Sequence, residues 1–324
     1  MDKSNSFVKP VEKEMEAFNR LYEEVLQGHP SEFQSMIDYI YQANGKQIRP
    51  LILLLSAKIC GKINDKTFNF AVVLELLHTA TLIHDDVIDD TKVRRGKASV
   101  NACYDNRIAV LLGDYILSLS IIRTILARNF QVMEIISNVA KNLAEGELTQ
   151  WTASNGTILK EERYFEIIRK KTAVLLSSCA ELGALSVDAD KETIEQFRLF
   201  GEHIGLCFQI KDDIFDYFEQ GEIGKPTGND LREGKITLPL IYALNHAPKH
   251  ESEQMTEILK SRNLTMKNIR KLILFAKQQK GIEYAESKME ESRQKALAIL
   301  SQFPDSEAKS GLIQLVDYII NRNK

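Results

Sequence analysis

Tryptophan occurs once and proline seven times in 324 residues. Proline this sparse leaves long stretches free to be helical, and strand-like alternation bounded by turn residues is scarce. The four cysteines, Cys60, Cys103, Cys179 and Cys207, form no C-x-x-C pair. A chain of this length needs no disulfide staples. They read as reduced core cysteines of a cytoplasmic protein. Net charge is only −3, so no strong field draws the chain to nucleic acid or to an anionic membrane. The opening segment MDKSNSFVKPVEKEME is polar and acidic, unlike a signal peptide. No apolar run reads as long enough to span a bilayer. A Ser/His/Asp triad, a Walker loop, a dinucleotide fingerprint and an EF-hand glycine are all missing.

What is present is helical periodicity almost throughout. Helices are predicted over about 10–27, 30–41, 67–90, 107–128, 131–152, 161–185 and 191–219, with Pro50 in the first turn of another. Glycine-rich polar sequence follows at 221–235, and shorter helices fill the last stretch. With no linker, repeat or low-complexity tract, the reading is one all-α domain spanning 1–324.

Two acidic clusters stand out. LIHDDVIDD holds Asp85, Asp86 and Asp89; FQIKDDIFDYF holds Asp212, Asp213 and Asp216. Both have the spacing D-D-x-x-D, which fans carboxylates onto one side of a helix. Crowded carboxylates perturb one another, and near a helix C-terminus the dipole disfavours them further. One such cluster alone reads as solvated surface. Here the first follows the apolar run AVVLELLHTATLI and the second is interleaved with aromatics. Hard oxygen ligands of this kind suit Mg²⁺, which binds through a few carboxylates and substrate phosphate oxygens.

Cations surround the clusters. Gly45-Lys46-Gln47-Ile48-Arg49-Pro50 places two at a loop-to-helix junction, readable as surface charge or as a phosphate clamp. Arg94 and Arg95 follow the first cluster, and Lys225 and Lys235 flank glycines after the second. Lys171-Thr172 sits in an otherwise apolar helical stretch. His78 and His84, each taken alone, read as structural histidines.

The combination G-K-x-x-R-P, H-T-A-T-L-I-H-D-D-x-x-D with R-R-G, K-T, F-Q-x-x-D-D-x-x-D, G-K-x-x-G-x-D-L and G-K-x-T-L-P resembles the trans-prenyltransferases, or isoprenyl diphosphate synthases, over about residues 30–245. It is most similar to the long-chain bacterial members, the octaprenyl and heptaprenyl diphosphate synthases. The resemblance implies about ten or more helices around a central cavity and a homodimer. It implies that Asp85, Asp86, Asp89 and Asp212, and less directly Asp213 and Asp216, hold up to three Mg²⁺ on an allylic diphosphate. Arg94, Lys171, Gln209, Lys225 and Lys235 would face that diphosphate. Lys46, Arg49, His78 and Arg95 would hold isopentenyl diphosphate. Gln209 and Thr172 would stabilise an allylic cation. The primer would be farnesyl or geranylgeranyl diphosphate, and the product would pass to a membrane.

Chain length is expected to depend on the helix carrying Asp85. Two residues separate Asp86 from Asp89, where bacterial farnesyl synthases usually carry four. Ala80 and Thr81 are small where short-chain members typically place an aromatic floor. The tail would run on past Leu77, Leu76 and Val73, one helical turn of about 5.4 Å for each isoprene unit. The alternatives are a geranylgeranyl or farnesyl synthase and a catalytic subunit that needs a partner. A terpene cyclase would not need the cations at Lys46, Arg49 and Arg95, and a non-catalytic subunit would have lost one aspartate cluster.

Overall fold

The computed structural model describes residues 6–42, 45–154, 160–218, 228–261 and 264–322. It divides into two compact units. The first comprises Met1–Ala140, Leu175–Gly201 and Ile299–Leu315; the second comprises Lys141–Val174, Glu202–Ala298 and Val316–Lys324.

The first unit begins with α1 (Glu12–Val25), α2 (Ser31–Gln42), α3 (Ile48–Cys60) and α4 (Asp65–Ile88). α4 starts at a capping box: the Asn64 side chain accepts from the backbone ahead of it, and the Thr67 side chain answers to the Asn64 backbone. Its positions from Phe70 to His78 are buried on every side, the pattern of a core helix. A short antiparallel hairpin follows, β1 (Val93–Arg94) and β2 (Lys97–Ala98). It was not expected from the sequence: two residues per strand are too few to show alternation, and only the turn chemistry marks it. Then come α5 (Val100–Tyr104) and α6 (Asn106–Leu126), the latter packed along α4.

α6 alone among the described residues is long and apolar enough to cross a membrane by length and composition, and 33% of its apolar stretch is buried; no clear membrane span results, in keeping with the sequence. Its exposed residues include Leu111, Ile121, Ile122, Ile125 and Leu126, and the helix is followed by Phe130, which is 89% exposed.

α7 (Phe130–Ser154) leads to α8 (Glu161–Ile168), a π-helical turn (Arg169–Ala173) and α9 (Val174–Ser186). The single helix expected over 161–185 is therefore interrupted by five residues of wider winding. α10 (Lys191–Phe215), α11 (Asn229–Arg232), α12 (Leu238–His246), α13 (Lys249–Lys260), α14 (Met266–Gln278), α15 (Gly281–Leu300) and α16 (Glu307–Asn321) complete the chain. The last stretch holds longer helices than expected, α15 running for 20 residues. Within the second unit, Leu206, Ile210 and Ile214 of α10 pack with buried residues of α8, α12, α14 and α15.

Candidate active site

The first unit carries the first aspartate cluster and a cationic cavity. Asp85 and Asp86 occupy the last turn of α4, and Asp89 is its C-cap. Asp86 is buried, with 3% of its surface exposed. Arg94 Nε donates to its Oδ1 at 2.6 Å, which fastens the hairpin to the helix end. Arg95 and Gly96 form the turn between the strands, with φ of 54° and 77°. Two successive positive φ values are the type I′ pattern of tight hairpins, in which a residue other than glycine, asparagine or aspartate is unusual. Arg95 is thus held in a costly conformation of about 1–3 kcal/mol.

That turn carries Arg95 back onto the Gly45–Pro50 loop. A Cβ on Gly45 would lie only 2.5 Å from the Arg95 guanidinium carbon. The Arg95 guanidinium packs against the bare Gly45 backbone, so the loop motif and the R-R-G motif converge in space.

A cavity of about 50 Å³ opens beside α4, lined by Glu75, His78, Thr79, Leu82, Ile83, Asp86, Arg94 and Arg95 among others. Burial lowers Arg49 from its ordinary value, with Glu75 opposing, and raises Glu75, with Arg49 and Arg95 opposing. Arg49 Nε and Glu75 Oε2 are both buried without a hydrogen-bond partner. Unanswered buried groups of this kind are uncommon. Burial, then the charges of Arg49, Arg95 and Arg94, hold His78 well below its usual value. It is a neutral imidazole, able to donate one hydrogen bond and accept another.

Lys46 is exposed at the start of the loop. Ala80 and Leu77 are buried in α4, each 1% exposed, and Thr81 is partly buried with its hydroxyl on the His78 carbonyl at 2.9 Å. His84 Nε2 lies 3.4 Å from Asp114 Oδ1.

The second unit carries the second cluster and its own cavity, of about 140 Å³. Lys171, Gln209, Asp213, Asp230 and Lys235 line it with Gln150 and Tyr164. Lys171 and Thr172 lie within the π turn, a winding that often marks functional positions. Lys171 Nζ is 2.5 Å from Glu147 Oε1 and donates to Gln150 at 2.5 Å. The Thr172 hydroxyl donates to Gln209 Oε1 at 2.6 Å.

The three aspartates of this cluster have different surroundings. Asp212 is half-exposed and paired with Arg322 at 2.6 Å. The Arg322 guanidinium lies 4.0 Å above the Phe208 ring. Asp213 is 4% exposed. Asp216 accepts the backbone N–H of Asn229 at 2.9 Å and of Asp230 at 3.1 Å, capping α11. Burial, then the charge of Asp216, pushes Asp230 up to about 7. Lys235 pairs with Glu233 at 2.6 Å. Lys225 lies outside the described residues.

Sequence reasoning missed Glu75, Tyr164 and Asp230. Glu75 had a signal, a lone carboxylate inside an apolar run. Asp230 sits inside a quoted motif but carried no assignment. Tyr164 had none, because a tyrosine seven residues before Lys171 shows nothing until the π turn is seen.

The Polyprenyl synthetase family model matches residues 30–274. The chain belongs to that family. It is 33% identical over 288 residues to the octaprenyl diphosphate synthase of Escherichia coli (strain K12), covering 88% of each chain. Among solved structures it superposes with a TM-score of 0.91 at 31% identity on a polyprenyl synthase from Caulobacter crescentus CB15, solved with calcium and isoprenyl diphosphate, covering 99% of this chain and 98% of that one. It also superposes on a geranylgeranyl pyrophosphate synthase from Bacteroides thetaiotaomicron, with a TM-score of 0.85, 39% identity and coverage of 99% and 100%. Both family and fold are those expected from the motifs, and this polyprenyl synthetase is a prenyltransferase that forms isoprenoid diphosphates.

Proposed function

We propose that residues 1–324 form one catalytic domain that lengthens a farnesyl or geranylgeranyl diphosphate primer with isopentenyl diphosphate units, to an octaprenyl or heptaprenyl product. The observation that carries this reading lies in the first unit: carboxylates at the end of α4 adjoin a cavity lined by Arg94, Arg95 and His78. One side suits a metal-bound diphosphate and the other a second diphosphate. The curated octaprenyl relative supports the long product.

The donor set fits Mg²⁺. It consists of carboxylate oxygens, and among the described residues no three acidic, histidine or cysteine side chains converge as a ready-made cage. Mg²⁺ commonly binds this way, through one or two carboxylates with the rest supplied by phosphate and water. Asp85, Asp86, Asp89 and Asp212 would hold up to three such ions. Mg²⁺, when bound, supplies Lewis acidity that neutralises charge on the departing diphosphate.

The remaining steps belong to the protein. Arg94, Lys171, Lys225 and Lys235 bind the allylic diphosphate, and its C1–O bond breaks with both electrons on oxygen. The Gln209 carbonyl and Thr172 hydroxyl face the allylic cation with their negative ends. Lys46, Arg49, His78 and Arg95 hold isopentenyl diphosphate so that its double bond attacks C1. A C2 proton then leaves to the released diphosphate. No side chain is required as base, and neutral His78 serves as a donor to phosphate oxygen.

We further propose a homodimer through the exposed apolar face of α6 and a cytoplasmic enzyme whose apolar product passes to a membrane. The four cysteines are unpaired, which suits a reducing compartment. The 39% identity to a geranylgeranyl synthase favours a second reading with a twenty-carbon product. One experiment decides between them. The purified chain is supplied with Mg²⁺, isopentenyl diphosphate and farnesyl diphosphate, and the dephosphorylated products are separated by chain length. Thirty-five- or forty-carbon alcohols support the long-chain reading, a twenty-carbon limit the second. No elongation by the chain alone points to a required partner subunit.

A further inference from the structure

Asp213 belongs to the D-D-x-x-D pattern, yet both its oxygens are already engaged by neutral protein donors. The Tyr164 hydroxyl donates to Oδ2 at 2.6 Å, and Gln209 Nε2 donates to Oδ1 at 2.8 Å. On the far side of the same amide, Gln209 Oε1 accepts the Thr172 hydroxyl at 2.6 Å. Four side chains from α8, the π turn and α10 thus form one hydrogen-bonded chain: Tyr164, Asp213, Gln209, Thr172. Tyr164 and Asp213 are 3% and 4% exposed.

The hydrogen bonds set the direction of the chain. Tyr164 donates to one Asp213 oxygen, and the NH₂ edge of Gln209 donates to the other. The Gln209 carbonyl is left pointing the other way. Thr172 uses one of its lone pairs, and the second is free on a residue that lines the cavity. Without Asp213 the amide could flip, since its two ends are nearly isosteric. It would then turn N–H dipoles toward the place where positive charge develops.

We infer that Asp213 is a positioning residue for Gln209, itself held by Tyr164, and not a metal ligand. The inference rests on the prenyltransferase reading of this cavity. It separates the neighbouring aspartates: Asp212 is left for metal, Asp213 orients an amide and Asp216 caps a helix.

Two measurements test it. In a double-mutant cycle, Tyr164→Phe is expected to lower kcat about tenfold, the effect of one hydrogen bond to a charged group. KM for both substrates is expected to stay within about twofold. In a Gln209→Leu background the same change is expected to have no further effect, because Tyr164 acts through the amide. A further tenfold loss in that background would overturn the inference, since a merely structural tyrosine costs the same in either.

The second measurement follows Mn²⁺ by electron paramagnetic resonance with inorganic diphosphate present. Asp213→Asn is expected to keep Mn²⁺ binding within about twofold of wild type, while Asp85→Asn and Asp212→Asn weaken it at least tenfold, as loss of a charged ligand would. Loss of Mn²⁺ in Asp213→Asn equal to that in Asp212→Asn would make Asp213 a ligand and overturn the inference. A wild-type protein that adds nothing to Mn²⁺ binding by diphosphate alone would overturn the underlying site reading, a distinct result.

Discussion

At the scale of the residue, the cavity beside α4 holds buried polar atoms without hydrogen-bond partners. Arg49 Nε and Glu75 Oε2 are two of them, an arrangement that costs stability. Arg95 adds a positive φ to that cost. Arg95→Ala or Lys46→Ala is expected to raise the Michaelis constant for isopentenyl diphosphate about ten- to hundredfold, from loss of about 1.5–3 kcal/mol of charge-assisted contact. The constant for the allylic primer is expected to move less than threefold by the same steady-state assay. An equal rise for both would assign these cations to the other subsite. Asp85 has a different role. Asp85→Ala is expected to lose at least about a hundredfold in kcat at saturating Mg²⁺, since a ligand that acts on developing charge matters more to the transition state than to binding. Turnover within a few-fold of wild type would disprove its role as a metal ligand.

At the scale of the element, α4 ends in the first cluster, and on the proposed reading it sets how far a tail can grow. Ala80→Phe inserts a ring into a packed helix face about a turn and a half from Asp85. The first condensations are expected to proceed and the later ones to stop, giving products of about fifteen to twenty carbons at one helical turn per isoprene unit. Chromatography of the dephosphorylated products reads this out. A melting curve accompanies it, because overpacking costs about 1–3 kcal/mol. A folded variant that still makes the wild-type chain would show that Ala80 does not wall the tunnel. The helices themselves were legible from apolar periodicity: α1, α2, α4, α6, α7 and α10 begin and end within a few residues of their expected limits. Two features were not. The hairpin at 93–98 is too short to alternate, and it is shaped by an arginine at positive φ. The π turn comes from a single extra residue in the helical winding, which leaves apolar periodicity almost unchanged over so few residues. Legibility of the site divides along the same line. The carboxylates and cations were visible as motifs, whereas Glu75, Tyr164 and Asp230 take meaning only from what folding packs against them.

At the scale of the whole molecule, the exposed face of α6 bears most on behaviour in solution. Leu111 is 56% exposed, Ile122 52%, Ile125 56% and Leu126 63%. Apolar residues gathered on one helix in this way suit an interface between copies. Ile122→Glu with Ile125→Glu is expected to convert a dimer to a monomer in sedimentation velocity, since a charge placed in such a contact must be desolvated. A wild-type sedimentation coefficient in the double variant would show that the subunits meet elsewhere. The same face has a thermodynamic consequence. If folding and association are one reaction, mass action enters the stability of every subunit. Dilution then acts in the same direction as heat. The melting temperature is expected to fall as the protein is diluted, and the monomeric variant is expected to melt at one temperature whatever its concentration.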